Sequence, residues 1–129
     1  MDYTIKPPVR IEGAIELPSD KSIAHRSALF ASLADTRSQI GNYSPAADPQ
    51  STLKCLKSLG VPMTTRMDRK GGQTVCIEGL GRQGLMSLPA QDELVLDCGN
   101  SGTTMRLLAG IVAGAGIPAR LTGDESLRK

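Results

Sequence analysis

Apolar residues recur in blocks whose spacing alternates between two and about three and a half, with turn-forming residues between the blocks. VRIEGAIEL, residues 9–17, alternates imperfectly and ends at Pro18, as a strand feeding a turn does. A helix is predicted over 22–34, capped by Asp20 or Ser19, with Ile23, Phe30 and Ala34 beside Leu29 and Leu33 as its apolar stripe. SQIGNYS reads as a short strand. A second helix is predicted over 48–59, with Leu53, Leu56 and Leu59 on one side and Gly60 and Pro62 ending it. MTTRMDR and TVCIEGL flank KGGQ as a hairpin, and ELVLDCG is a further strand. The turn at 99–102 opens a third helix over 101–113, where Met105, Leu108, Ile111 and Val112 form a core stripe, and ARLTG closes as a strand. The order β-α-β-α-β-β-β-α-β predicts an α/β or α+β fold with mixed strands.

Composition narrows the function classes. A chain of 129 residues suits one domain, and its core must rely on Leu, Ile, Val, Ala and Met, since it holds one Phe, two Tyr and no Trp. Aromatic stacking on bases is therefore not expected. Fifteen basic and thirteen acidic residues are scattered without the basic stripe that points to nucleic acid. Cys55, Cys76 and Cys98 are odd in number and widely spaced, so neither a disulfide framework nor a zinc site is indicated, and a reducing cytoplasm fits best. No window approaches a membrane span.

Candidate chemistry lies at two strand–turn–helix joints. In LPSDKSIAHR, Ser22 and Arg26 share a helix face at i, i+4, and Lys21 lies in the first turn. Helix starts favour negative charge, so two cations there fit a bound phosphate or carboxylate; a solvated helix end is an equal alternative. The glycines of a nucleotide P-loop are replaced by Ile15 and Asp20. In DCGNSGTTMR, Gly99 and Gly102 allow close backbone approach, while Asn100, Ser101, Thr103 and Thr104 offer hydrogen bonds at a helix start. Alone this reads as a glycine-bearing cap; two such openings in one chain favour an anion site. Beside Arg26, His25 reads as a polar helix-surface residue rather than a proton carrier. Cys98 reads as a small buried strand-end residue rather than a nucleophile. Asp48 either orients a ligand hydroxyl or caps the second helix, with capping the simpler role.

LPSDKSIAHRSALFASLA, DPQSTLKCLKSLGV, LDCGNSGTTMRLLAGIVAG and the terminal GDESLRK, in this order, closely resemble the start of the 5-enolpyruvylshikimate-3-phosphate (EPSP) synthases. The resemblance covers nearly the whole chain. It implies that the complete enzyme transfers the enolpyruvyl group of phosphoenolpyruvate to the 5-hydroxyl of shikimate 3-phosphate, releasing phosphate, with no cofactor or metal. It implies that Lys21 meets both ligands and assists proton movement, that Ser22 and Arg26 hold shikimate 3-phosphate, and that Gly102 admits phosphoenolpyruvate. Asn100, Thr103, Arg106 and Asp48 are implied as supporting residues. The family's principal acid/base groups lie later in the chain.

The implied fold is an inside-out α/β barrel of repeated βαβαββ units in two domains. Residues 1–20 are then a strand of the domain completed by the C-terminal part of the enzyme, and 21–129 an incomplete N-terminal domain. The family continues after GDESLRK with an Arg-Pro whose arginine contacts phosphoenolpyruvate, so the chain reads as a fragment that is inactive alone. The whole enzyme is expected to be a cytoplasmic monomer and a glyphosate target. SPAADPQST lacks the family's usual Asp-Cys pair, and Ser27 stands for a usual alanine; neither removes an anion-binding group. The related UDP-N-acetylglucosamine enolpyruvyl transferases typically carry Lys-Asn, where this chain has Lys21-Ser22 followed by Arg26. A non-catalytic anion-binding module is the alternative from another class.

Overall fold

The computed structural model describes residues 2–67, 71–87 and 94–129, apart from the side chain of Arg82. Nine elements are assigned among them: α1 (Lys21–Leu33), β1 (Arg37–Tyr43), α2 (Ala47–Ser58), β2 (Met63–Met67), β3 (Gln73–Glu78), α3 (Gly81–Met86), β4 (Val95–Asp97), α4 (Gly102–Ala115) and β5 (Arg120–Thr122). One antiparallel sheet has the order β1-β3-β2, and β4 pairs in parallel with β5 across α4. The mixed α/β class follows as expected.

The helices begin and end where local chemistry dictates. Asp20 Oδ1 accepts the Ile23 N–H at 2.6 Å and caps α1. Ser101 Oγ accepts the Thr104 N–H at 3.1 Å and caps α4, which ends on Gly116 in the left-handed region. Helix α2 has no side-chain cap, because Ala46 occupies the cap position. Asp48 therefore sits inside the first turn, too late to cap, and the capping role expected for it is not observed.

Residues 9–17 join neither sheet among the described residues, and the strand expected there is one whose partner lies outside this chain. Val9, Ile11, Ile15 and Leu17 stay exposed. The apolar stripe of α1 is displaced, since Ile23 is 61% and Phe30 67% exposed while Ala24, His25, Ala28, Leu29, Ala31 and Ser32 are buried. Small residues line this inner face, and α1 uses it to pack on α2, β1, β3 and α3. Helix α3 was not predicted, because glycines at 81 and 84 weaken the local signal; Leu85, wholly buried, ties it to the core. The hairpin of β2 and β3 is present, although 68–70 at its tip, like Glu93 in ELVLDCG, lie outside the described residues.

The core joins Leu53, Leu56 and Leu59 of α2 and its end to Val75 and Ile77 of β3, Leu96 of β4, and Leu108 and Val112 of α4. Met105 and Ile111 pack against it from the margin. Leu56 is fully buried. Leu56→Ala is expected to lower the unfolding free energy by about 2–5 kcal/mol in urea titrations. Ile23→Ala, on the exposed side of α1, is expected to change it by no more than about 0.5 kcal/mol.

Candidate functional site

Helices α1, α2 and α4 are joined near their N-terminal ends by a buried line of polar side chains. His25 Nδ1 lies 2.7 Å from Thr52 Oγ1, and Thr52 Oγ1 lies 2.8 Å from Thr104 Oγ1. Thr104 Oγ1 in turn lies 2.8 Å from Ser101 Oγ and 3.3 Å from the Asp48 carbonyl oxygen. All four side chains are buried. The line runs from α1 through α2 to the opening of α4, so these helix starts are fixed to one another by polar contacts as well as by apolar packing.

His25 is thus an interior residue and not the surface residue expected from its neighbour Arg26. Burial lowers its pKa; Asp48 pulls the other way, and Lys21 adds to the lowering. Its Nε2 is buried and has no hydrogen-bond partner among the described residues.

The cationic residues fall into two groups. Lys21 pairs with the Asp48 carboxylate, linking the first turns of α1 and α2. Ser22 and Arg26 are exposed one helical turn apart, as their spacing predicts, and no ion pair engages Arg26 among the described residues. On α4, the Arg106 guanidinium folds back over Gly102: a Cβ added there would lie 2.9 Å from its Nη2. Thr103 is exposed in the first turn. Lys21 and α4 are brought together through Asp48, whose side chain holds the one and whose carbonyl oxygen meets Thr104 of the other.

The loop before α4 is held by the final turn of the chain. Gly99 has φ +58°, which favours glycine, and its N–H donates to Asp97 Oδ1 at 2.9 Å. The Asp124 N–H donates to the Gly99 carbonyl at 2.8 Å, and Asn100 Nδ2 donates to the Asp124 carboxylate. Ser126 first, and then Asn100, lower the Asp124 pKa by hydrogen bonding to its carboxylate. Asn100 therefore braces the loop through Asp124. Cys98 is fully buried, as expected of a strand-end residue, and burial raises its pKa; the same cause pushes Cys55 up to about 12. Neither thiol has the exposed, electropositive setting that a nucleophile needs.

Sequence reasoning missed Thr52 and Asp124. Thr52 had a signal: Pro49, Thr52, Leu53 and Leu56 follow the helical spacing of a buried face, and one position is polar. Among the described residues, no helix is long and apolar enough to cross a membrane, and no group of three His, Cys, Asp or Glu side chains could hold a metal.

The family model described as EPSP synthase (3-phosphoshikimate 1-carboxyvinyltransferase) matches residues 5–129. A 3-phosphoshikimate 1-carboxyvinyltransferase of Roseiflexus sp. (strain RS-1) is 48% identical, over 99% of this chain and 28% of that protein. One from Salinibacter ruber is 46% identical, over 100% of this chain and 28% of its own. An EPSP synthase structure from Acinetobacter baumannii aligns with a TM-score of 0.71 at 34% identity, covering 89% of this chain and 24% of that one. The chain thus spans about 28% of the length of the curated relatives it matches.

The buried histidine predicts a pH dependence. Its folded pKa is below the ordinary value, so the unfolded chain takes up the proton first as pH falls. Stability is expected to be full above about pH 6.5 and to decline as pH drops from there through the folded value. Asp124, also depressed, adds its own loss only below the ordinary carboxylate range. Urea unfolding of the wild type and of His25→Gln between about pH 7.5 and 5 checks this, with the variant's decline expected to be shallower.

Proposed function

The chain belongs to the EPSP synthase family, and from that membership we propose that it supplies the N-terminal part of an active site transferring enolpyruvyl from phosphoenolpyruvate to shikimate 3-phosphate. The observation that carries the proposal is the joining of two polar helix starts, one bearing Lys21, Ser22 and Arg26 and the other Gly102, around a single buried line of hydrogen bonds. Both substrates are anions. Free N–H groups and the positive end of each helix attract phosphate or carboxylate, and Lys21 and Arg26 strengthen the field at α1.

Ser22 and Arg26, a turn apart on an exposed face, suit the phosphate of the shikimate substrate, with the guanidinium able to grip two oxygens. Lys21, whose ammonium lies beside Asp48, is placed between α1 and α2 and can stabilise charge that develops on the donor phosphate. Phosphoenolpyruvate meets the first turn of α4 at Gly102, where the Arg106 guanidinium already lies over the backbone, with Thr103 and the Asn100-braced loop in support. Transfer proceeds by addition of the 5-hydroxyl to the enol carbon as a proton is delivered to the methylene carbon, followed by loss of phosphate together with a proton from the new methyl group, which restores the enol double bond. The residues here bind and polarise; the proton-handling carboxylates belong to the remainder of the enzyme.

We further propose that 9–17 forms a strand in the domain completed by that remainder. Val9, Ile11, Ile15 and Leu17 keep a two-residue alternation and are all exposed, a face that a neighbouring sheet would cover. With that strand counted, the elements from residue 9 to Glu78 follow the order βαβαββ. The buried, reduced cysteines accord with a cytoplasmic setting, and the complete enzyme is read as a monomer.

The test is a chimera in which this chain replaces the matching segment of the Roseiflexus protein, assayed for phosphate release from phosphoenolpyruvate and shikimate 3-phosphate. Turnover is expected, with Lys21→Ala and Arg26→Ala each lowering kcat/KM by about a hundredfold or more. Turnover with UDP-N-acetylglucosamine in place of shikimate 3-phosphate, or indifference to both substitutions, contradicts the reading. Gly102→Ala must displace the Arg106 guanidinium. In the chimera it is expected to raise the KM for phosphoenolpyruvate and weaken competition by its mimic glyphosate; unchanged inhibition contradicts the placement of Gly102.

A further inference from the structure

We propose that His25 is a positioning residue for both helix starts: with its ring proton on Nδ1, it anchors the hydroxyls of Thr52 and Thr104 and so sets the opening of α4 against that of α1. The inference rests on the proposed function only for the purpose of this placement; the placement itself follows from hydrogen-bond accounting.

Each threonine hydroxyl has one proton and two lone pairs. Thr104 Oγ1 touches the Asp48 carbonyl, Thr52 Oγ1 and Ser101 Oγ. Thr104 Oγ1 donates towards Ser101 Oγ at 2.8 Å and the Asp48 carbonyl at 3.3 Å, so its one proton is spent on these acceptors, and the Thr52 hydroxyl donates to Thr104. Thr52, having spent its proton, must accept from His25, which places the ring proton on Nδ1. Nε2 is then left as a bare acceptor, buried and without a partner among the described residues.

The reverse order, in which Thr104 donates to Thr52 and Thr52 to Nδ1, leaves the Asp48 contact unmade and turns Nε2 into a buried N–H donor with no acceptor. The first order makes one more bond and buries a vacant acceptor in place of a vacant donor, which folded proteins tolerate better. The direction of the whole line is therefore set at its two ends, by the carbonyl of Asp48 and the tautomer of His25.

Three helices depend on this direction. His25 lies on α1, Thr52 on α2 and Thr104 on α4, while Ser101 is the α4 cap. Asp48, whose carbonyl ends the line, also holds Lys21 through its carboxylate. A break at Thr52 separates α1 from α4 without touching any of the residues proposed to meet substrate.

His25 is the only histidine in the chain, so its imidazole nitrogens can be read by 15N NMR without ambiguity. The 129-residue chain at about pH 7.5 is expected to show a single fixed tautomer, with a protonated-type signal for Nδ1 and an unprotonated-type signal for Nε2. Thr52→Val keeps the shape but removes the hydroxyl; it is expected to give a mixture of tautomers and to shift backbone amides at both 21–25 and 101–105. Thr52→Ser is expected to restore the fixed tautomer and both sets of amide shifts. A proton on Nε2, exchanging tautomers in the wild type, or a Thr52→Val effect confined to α2 overturns the proposal. Titration with inorganic phosphate is separate: a fixed tautomer with no amide response at Ser22 or Gly102 counts against the proposed function and leaves the positioning role standing.

Discussion

Four buried polar side chains, His25, Thr52, Thr104 and Ser101, share one continuous line of hydrogen bonds, and the arrangement of three helices depends on it. A neutral hydrogen bond adds only about 1 kcal/mol net, whereas a buried polar group left without its partner costs about 1–3 kcal/mol. The line is therefore specified as a whole: moving α4 away from α2, or α1 away from both, strands several groups at once. Apolar packing of Leu56, Leu96 and Leu108 supplies the cohesion of the core, but apolar surfaces slide more easily than hydrogen bonds do.

This constraint gives the exposed cations their geometry. Lys21 and Arg26 lie on the helix whose inner side carries His25, so the buried tautomer and the outward charges are fixed by one short segment. Asp20 at the cap and Asp48 beside Lys21 offset part of the positive field at the start of α1. Arg26 has no such carboxylate partner among the described residues, which makes it the stronger attractor of a phosphate. The second helix start is arranged differently, with its loop braced by Asn100 and Asp124 and its first turn covered at Gly102 by the Arg106 guanidinium.

Much of this was legible in the sequence. The cap at Asp20, the hairpin, the stripe of α4 and the two polar helix openings are local signals, and they appear where residue chemistry placed them. The failures share a cause, which is tertiary context. Ile23 and Phe30 marked the wrong face of α1 because the true inner face is built from alanines, whose burial leaves little trace in a hydrophobic pattern. Helix α3 had a core contact but poor helix formers. His25 looked superficial beside Arg26 because adjacent helical residues diverge by about a quarter turn, so exposure of one says little about the other. Asp124 could not be tied to Asn100 by any local rule, since 24 residues separate them.

The proposed function requires that the starts of α1 and α4 bind the two substrate anions together. The most direct measurement is a residue-by-residue map of amide perturbations on adding shikimate 3-phosphate, then phosphoenolpyruvate, to the chimera carrying this chain. The account requires saturable changes at Lys21, Ser22 and Arg26 with the first ligand, and added changes at Gly102 and its neighbours with the second. Changes scattered over unrelated surface lysines, or confined to one helix start whichever ligand is present, would contradict it.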